Sequence, residues 1–299
     1  MKRRVSEVGG IFCLLAFILL PAAASAQSPL PVPAAAFVSF LDVRCYDIRP
    51  QPPIHVPLRL DHLNPYFQSL GLPHEDVRLT EPEQLCVPVF KNDNRPPDHI
   101  RRYVQFVDWK CYRIEGPPLD IEVRLTHLNR EIYRMFGPEV KVKVGRPQQL
   151  CVPVAKRLPT GVSPVPPQEV LDLIQWLDVK CYEVETDQIG RGPIRLTHLN
   201  PLFGGASEDV RFVEAPPVQL CVPVAKNGKY PPHHVYNAVA YSDVLCYRIE
   251  GRPLDRELWL DHLNPVLREM GLHPEFVKVG RTEELCVPVA KEDFFPPEQ

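Results

Sequence analysis

Four histidines recur at equivalent positions of this sequence, and their side chains could do chemistry. Each belongs to the phrase Leu-x-His-Leu-Asn, and the four are His62, His127, His198 and His262. Because imidazole titrates near neutral pH and binds transition metals, four equivalent copies could sense pH or bind a metal or another ligand. An aspartate three residues before a recurring cysteine could pair with each histidine, and these aspartates are Asp42, Asp108, Asp178 and Asp243.

The residues around the histidines favour a structural role instead. Leu58, Leu60 and His62 alternate with Arg59 and Asp61, so in a β-strand the imidazole shares the apolar face. We expect each histidine to be buried against a backbone carbonyl, and each aspartate to cap a turn. Since no second ligand recurs at a fixed spacing from the histidines, we predict no metal site and no cofactor.

Cysteines are the second set of reactive side chains. Cys13 lies in an apolar N-terminal segment, and the other eight fall into four pairs separated by 41, 40, 40 and 40 residues, with more variable gaps between pairs. Uniform spacing, without any Cys-x-x-Cys or Cys/His zinc spacing, predicts a disulfide within each pair. The predicted bridges are Cys45–Cys86, Cys111–Cys151, Cys181–Cys221 and Cys246–Cys286. Closing a loop of this length stabilises a unit by about 4 kcal/mol.

The sequence contains none of the motifs of common hydrolases, metalloproteases or nucleotide-binding enzymes, so we predict no catalytic residues. Several copies of a unit provide several copies of a binding surface, whereas an active site is normally a single arrangement of different residues. We therefore expect a non-enzymatic protein that binds an extracellular or cell-envelope protein or carbohydrate. The alternatives are a metal-dependent hydrolase that uses the repeated His and Asp, and a tandem protease inhibitor. A net charge of −3 argues against nucleic acid as a partner.

These residues belong to one unit that occurs four times. Asp-x-x-Cys-Tyr, Leu-x-His-Leu-Asn and Leu-Cys-Val-Pro-Val follow one another in the same order in every copy. The expected boundaries are a Pro/Ala-rich leader at 27–36, repeat 1 at 37–99, repeat 2 at 100–156, a Pro-rich linker at 157–169, repeat 3 at 170–232 and repeat 4 at 233–299. Units this small need a covalent staple to be stable.

Alternation and proline content predict a mainly β protein. Proline supplies 36 of 299 residues, which excludes a mainly helical fold, and alternating segments lie between Pro and Gly turns. An Asn-Pro start such as Asn64-Pro65 predicts one short helix in each unit, reduced to barely one turn after Asn200. A proline inside an apparent strand predicts an edge or a bulge, and it recurs as Pro88, Pro153, Pro223 and Pro288. We expect four tandem, locally closed, disulfide-stapled domains, with a four-bladed propeller-like closure as the alternative.

The first 26 residues have the pattern of a secretory signal peptide. Three basic residues at 2–4 precede the apolar run 11–20, and Ala24-Ser25-Ala26 fits a cleavage site between Ala26 and Gln27. Ten apolar residues are too few to span a bilayer. Cleavage changes the formal net charge to −5, and we expect a secreted or periplasmic protein without a membrane span.

The unit as a whole resembles a repeat family of unknown function in secreted bacterial proteins. The matching features are Cys-Tyr at the start and Leu-Cys-x-Pro-Val-x-Lys at the end, with the lysine present as Lys91, Lys156, Lys226 and Lys291. Where the family has Leu-x-Asp-Gln-Phe in the middle, this chain has His-Leu. The resemblance covers all four units and implies export and disulfide-linked repeats.

Overall fold

The computed structural model describes residues 32–49 and 51–298. The predicted signal segment, its cleavage site at Ala26 and Cys13 lie outside the described residues. Thirteen strands are formed: β1 Val43–Ile48, β2 Val56–His62, β3 Glu75–Lys91, β4 Trp109–Glu115, β5 Ile121–His127, β6 Glu139–Arg157, β7 Val179–Glu185, β8 Pro193–His198, β9 Ser207–Phe212, β10 Gln219–Lys226, β11 Val244–Glu250, β12 Arg256–His262 and β13 Glu275–Lys291. The helices are α1 Ala34–Val38, α2 Pro65–Ser69, α3 Asp98–Val104, α4 Arg130–Phe136, α5 Gln168–Ile174, α6 His233–Ala240 and α7 Pro265–Glu269, with a 3-10 turn at Pro201–Phe203. The mainly β expectation is confirmed.

Eight strands, two from each unit, close into an antiparallel ring. The order is β1, β3, β4, β6, β7, β10, β11 and β13, and β13 pairs with β1 to complete the circuit. Within each unit the two cysteines face each other directly across the two ring strands, for example Cys45 opposite Cys86. Because every ring strand has a neighbour on both sides, the ring presents no free edge.

Each unit also projects a hairpin outside the ring, and this hairpin joins the unit opposite. In the first unit β2 pairs with the first half of β3, and the end of β2 places His62 opposite Val224 of the third unit. The other three hairpins repeat this, with His127 opposite Val289, His198 opposite Val89 and His262 opposite Val154. One thirteen-stranded sheet therefore runs through all four units. Four disulfide-linked, β-rich units are present as expected, but the expectation that each unit closes on itself is corrected, because the units share one sheet.

Prolines within the strands explain why that expectation failed. Pro88 lies inside β3, which pairs with β4 up to Cys86 and with β8 from Val89 onward. Because proline has no N–H, the hydrogen-bond ladder between β3 and β4 stops before Pro88. On the same side of β3, strand β8 of the third unit pairs with the residues that follow. The Pro88 carbonyl accepts a hydrogen bond of 2.9 Å from the Leu199 amide, which anchors the incoming strand. The proline is thus a point of partner exchange and not an edge.

The predicted helices after the histidine phrases are present, and each unit has a further helix that the sequence analysis missed. Helices α2, α4 and α7 and the 3-10 turn each follow an asparagine whose Oδ1 accepts the amide hydrogen two residues later. The missed helices α1, α3, α5 and α6 each begin directly after a proline. Each of these prolines is the N-cap residue and has an extended ψ, and the end of the predicted linker 157–169 therefore starts α5 directly after Pro167.

The four missed helices contact one another and share one apolar cluster with the eight cysteines. Three further clusters fill the spaces between the ring and the outer hairpins. Among the described residues, no helix is long and apolar enough to cross a membrane.

Candidate functional site

All four predicted disulfides form, and together they line the inside of the ring. Sulfur atoms of neighbouring units approach to 3.8 Å, so the eight Sγ atoms make a closed circle. In the described part of the chain, one group of three or more His, Cys, Asp or Glu side chains lies close enough together to hold a metal ion. It consists of Cys246, Glu284 and Cys286. Both of these sulfurs are bridged, so neither offers a thiolate to a metal ion.

The recurring aspartates do not pair with the histidines. Each forms a buried ion pair with the lysine that ends its own unit, as Asp108 does with Lys156. The other carboxylate oxygen accepts a hydrogen bond from an asparagine of the next unit, at 3.1 Å from Asn200 to Asp108. The equivalent sets are Asp42 with Lys91 and Asn129, Asp178 with Lys226 and Asn264, and Asp243 with Lys291 and Asn64.

Burial dominates the electrostatics of these pairs. It raises the pKa of Asp108, Asp178 and Asp243 to about 6, against the opposing charge and hydrogen bonds of the lysines and asparagines. It also lowers the pKa of the partner lysines. Charges taken out of water in this way hold the units in one arrangement but add little net stability.

The histidines are buried as expected, but their partners differ from the expected backbone carbonyls. Each Nε2 lies within hydrogen-bonding distance of a tyrosine hydroxyl from the opposite unit, at 3.0 Å for Tyr46–His198, 3.1 Å for Tyr112–His262, and 3.3 Å for Tyr182–His62 and Tyr247–His127. Burial lowers the pKa of His127 to about 4 and that of His198 to about 3, and lowers the pKa of His62 and His262 as well. All four imidazoles are therefore neutral at neutral pH.

Two of the histidine sites are completed by a glutamate and a lysine. Glu75 accepts hydrogen bonds from the Tyr182 hydroxyl and pairs with Lys180 and His62. Burial by itself would raise the pKa of Glu75, but the His62 hydrogen bond and the Lys180 charge lower it to about 2. Glu275 repeats the arrangement with Lys110, Tyr112 and His262. A His–Glu–Tyr group could transfer protons. The histidines and tyrosines are buried, whereas the side chains of Glu75 and Glu275 are 11% and 22% exposed.

The third histidine site differs and opens to the surface. Arg44 replaces the lysine, and its guanidinium pairs with Glu208 at 2.9 Å. A recess of about 220 Å³ reaches Tyr46 and His198 here. The His198 side chain forms part of the lining of this recess.

At the fourth histidine site, formed by His127 and Tyr247, the described residues form no equivalent ion pair. Leu245 stands where the other units have Arg44, Lys110 and Lys180. Val140 lies opposite Leu125, as Glu75 lies opposite Leu60, so a buried apolar side chain takes the place of the glutamate. The neighbouring Glu139 is exposed. It lines an open groove of about 1020 Å³ with charged residues of β5 and β6 and the segment 185–188.

The hairpin of the fourth unit differs from the other three hairpins at its exposed surface. Trp259 stands where the other hairpins carry Arg59, Arg124 and Arg195, and it lies opposite Phe276. The rings are 5.4 Å apart, and the two residues are 36% and 41% exposed. In the third unit the same cross-strand positions hold the ion pair of Arg195 and Asp209.

The side chains that contact the repeated histidines and aspartates were not predicted from the sequence. The tyrosine after each first cysteine and the lysine after each Val-Pro-Val segment recur as faithfully as the histidines and aspartates, and this recurrence was the available signal. Comparisons with family models, with curated proteins and with solved structures find no match for this chain.

Proposed function

We propose that this is an exported, non-enzymatic binding protein whose ligand is a carbohydrate held at the aromatic face of the fourth unit. Export is supported by the signal-like N-terminal segment, by four disulfides, which are typical of oxidising compartments, and by the resemblance to repeats of secreted bacterial proteins.

A binding role is supported by where the repeated polar residues lie. The histidine rings are at most 8% exposed, and the aspartates are at most 3% exposed. Their polar atoms contact tyrosine, glutamate, lysine and asparagine side chains of other elements, so they hold the units together. Residues that stabilise the fold recur in every unit. A ligand site that occurs once is therefore expected at residues that differ between the units.

The observation that carries the proposal is the pair Trp259 and Phe276. Adjacent exposed aromatic rings, at positions where the other units carry charged residues, are typical of a binding surface. The flat apolar face of a sugar ring packs on such aromatic side chains, while nearby polar groups bind its hydroxyls. Arg157 and Asp261 supply these groups, because they form an ion pair of 2.5 Å beside Trp259.

The test is binding of soluble oligosaccharides to the full chain, followed by tryptophan fluorescence and calorimetry. Trp259→Arg together with Phe276→Asp introduces the Arg/Asp pair that the first and third units carry at these positions, so it should fold normally. We expect it to weaken binding at least about tenfold. Glu122→Gln, at an exposed strand position of the second unit, is the matched control and should leave the affinity unchanged.

If the double variant binds carbohydrate as tightly as the parent chain, Trp259 and Phe276 do not form the binding site. Absence of binding to any oligosaccharide, combined with saturable binding of a cell-envelope protein that the double substitution abolishes, would make the ligand a protein and overturn the carbohydrate assignment.

A further inference from the structure

The recess of about 220 Å³ at the third histidine site has walls from three units. Arg44 and Tyr46 come from β1, His198 and Ser207 from the third unit, and the segment 252–256 from the fourth. Arg44, Tyr46 and His198 are 2%, 1% and 7% exposed, so the floor of the recess is built from buried polar side chains.

A shortened segment in the third unit leaves this recess open. Thirteen positions separate His62 from Glu75, and the same number separates His262 from Glu275, whereas Glu208 follows His198 by only ten. The deletion reduces a helix to the 3-10 turn, which ends at Gly204 and Gly205, both with positive φ.

The shortened segment also leaves aromatic surface uncovered. Phe203 lies 5.1 Å from the His198 ring, as Phe67 lies 5.0 Å from His62. Phe67 is fully buried, but Phe203 is partly exposed and lines the recess.

The charges around the recess are unbalanced. Three arginines line it, Arg44, Arg252 and Arg256, against the single carboxylate of Glu208. Glu208 neutralises Arg44, whose Nε is buried without a hydrogen-bond partner. Among the described residues Arg256 forms no ion pair, and Arg252 reaches only Glu208, at 3.9 Å. A surplus of two positive charges at the mouth of a polar cavity favours an anion.

We propose that this recess binds a small oxyanion, a carboxylate, sulfate or phosphate group carried by an extracellular ligand. Arginine presents paired N–H donors that match the geometry of such groups. The Tyr46 hydroxyl and the His198 ring add neutral polar groups on the floor of the recess. The volume is below the roughly 300–1,000 Å³ of pockets for drug-sized ligands, so it suits a single acidic sugar ring or one ester group. The site is separate from Trp259 and does not depend on the carbohydrate proposal.

The experiment is calorimetric titration of the full chain with phosphate, sulfate, acetate and glucuronate at constant ionic strength, with glucose as the neutral probe. We expect saturable one-to-one binding of at least one anion, and the preferred anion separates carboxylate from phosphate or sulfate ligands. Arg256→Gln should weaken it about tenfold. Arg268→Gln, an exposed arginine of α7 outside the recess, should not. Ala206→Trp fills the recess without changing its charge and should abolish binding.

Three results would overturn the assignment. They are no saturable binding of any of the four anions up to ~10 mM, an unchanged affinity in Arg256→Gln, and glucose binding as tightly as glucuronate. If Ala206→Trp fails to fold, the exposed Arg256→Gln substitution still decides. Anion binding should persist in Trp259→Arg/Phe276→Asp, so failure of the two sites can be told apart.

Discussion

Asn264 of the fourth unit donates a hydrogen bond of 2.5 Å to Asp178 of the third, while its own Oδ1 accepts the amide hydrogen of Val266. One side chain therefore caps α7 and contacts a buried ion pair of the neighbouring unit. The same relationship recurs around the ring, so every helix start after a histidine phrase is tied to the unit before it.

Asn264→Asp separates these two roles. Aspartate caps helices as well as asparagine does, but it removes the amide donor and places a second carboxylate beside Asp178. We expect a loss of about 3 kcal/mol in the free energy of unfolding, measured by chemical denaturation. Asn227→Asp, at an exposed turn, is the control and should change stability by less than about 0.5 kcal/mol. Equal effects of the two substitutions would refute the coupling.

Lys156→Met should leave Asp108 as an unpaired buried charge and cost about 3–5 kcal/mol of stability. Adding Asp108→Asn removes the orphaned carboxylate, so the double variant should recover part of that loss. A double-mutant cycle in urea measures the coupling. If the double variant loses the sum of the two single effects, the ion pair between Lys156 and Asp108 does not hold the units as described.

Glu284 makes stability depend on pH. It occupies the position of Gln84, Gln149 and Gln219 inside the ring, and burial raises its pKa from 4.5 to about 7, although the Gln219 hydrogen bonds oppose the rise. The folded state retains the proton where the unfolded state has released it, so stability falls as pH rises from about 4.5 to about 7 and then levels off.

Glu284→Gln should remove this penalty. We expect the variant to be more stable than the parent protein by about 3 kcal/mol above pH 7. The difference should vanish below about pH 4.5. Thermal melts over this range provide the measurement, with exposed Glu257→Gln as the control. A constant difference at all pH values would show that the proton of Glu284 is not responsible.

The shared sheet predicts that the four units unfold together. The full chain should show one transition by circular dichroism and by fluorescence, and a fragment of residues 158–298 should not fold. That fragment lacks β6, which pairs with His262, and β2, which pairs with Val224. Two separate transitions, or a folded fragment, would favour independent domains.

The sequence by itself determined the features that depend on neighbouring residues or on repetition. Alternation at Leu58–His62 predicted a strand, Asn64-Pro65 predicted a capped helix start, and constant spacing predicted the disulfides. The strand and the helix start are decided by local backbone preference, and the disulfides were inferred from a spacing of 40 or 41 residues that all four units repeat. The helices α1, α3, α5 and α6 have a proline as N-cap and no side-chain cap, so they lack the Asn-Pro signal from which the other helix starts were predicted.

Only the tertiary structure decided which units touch. Tyr182 meets His62 across 120 residues of chain, and Tyr112 meets His262 across 150, with no local pattern to pair them. Pro88 has the same sequence signature whether a strand lies at an edge or exchanges neighbours, so the choice between separate domains and one ring depended on long-range pairing. The open recess at Arg44 likewise required three units to be brought together, because none of them contains the site alone.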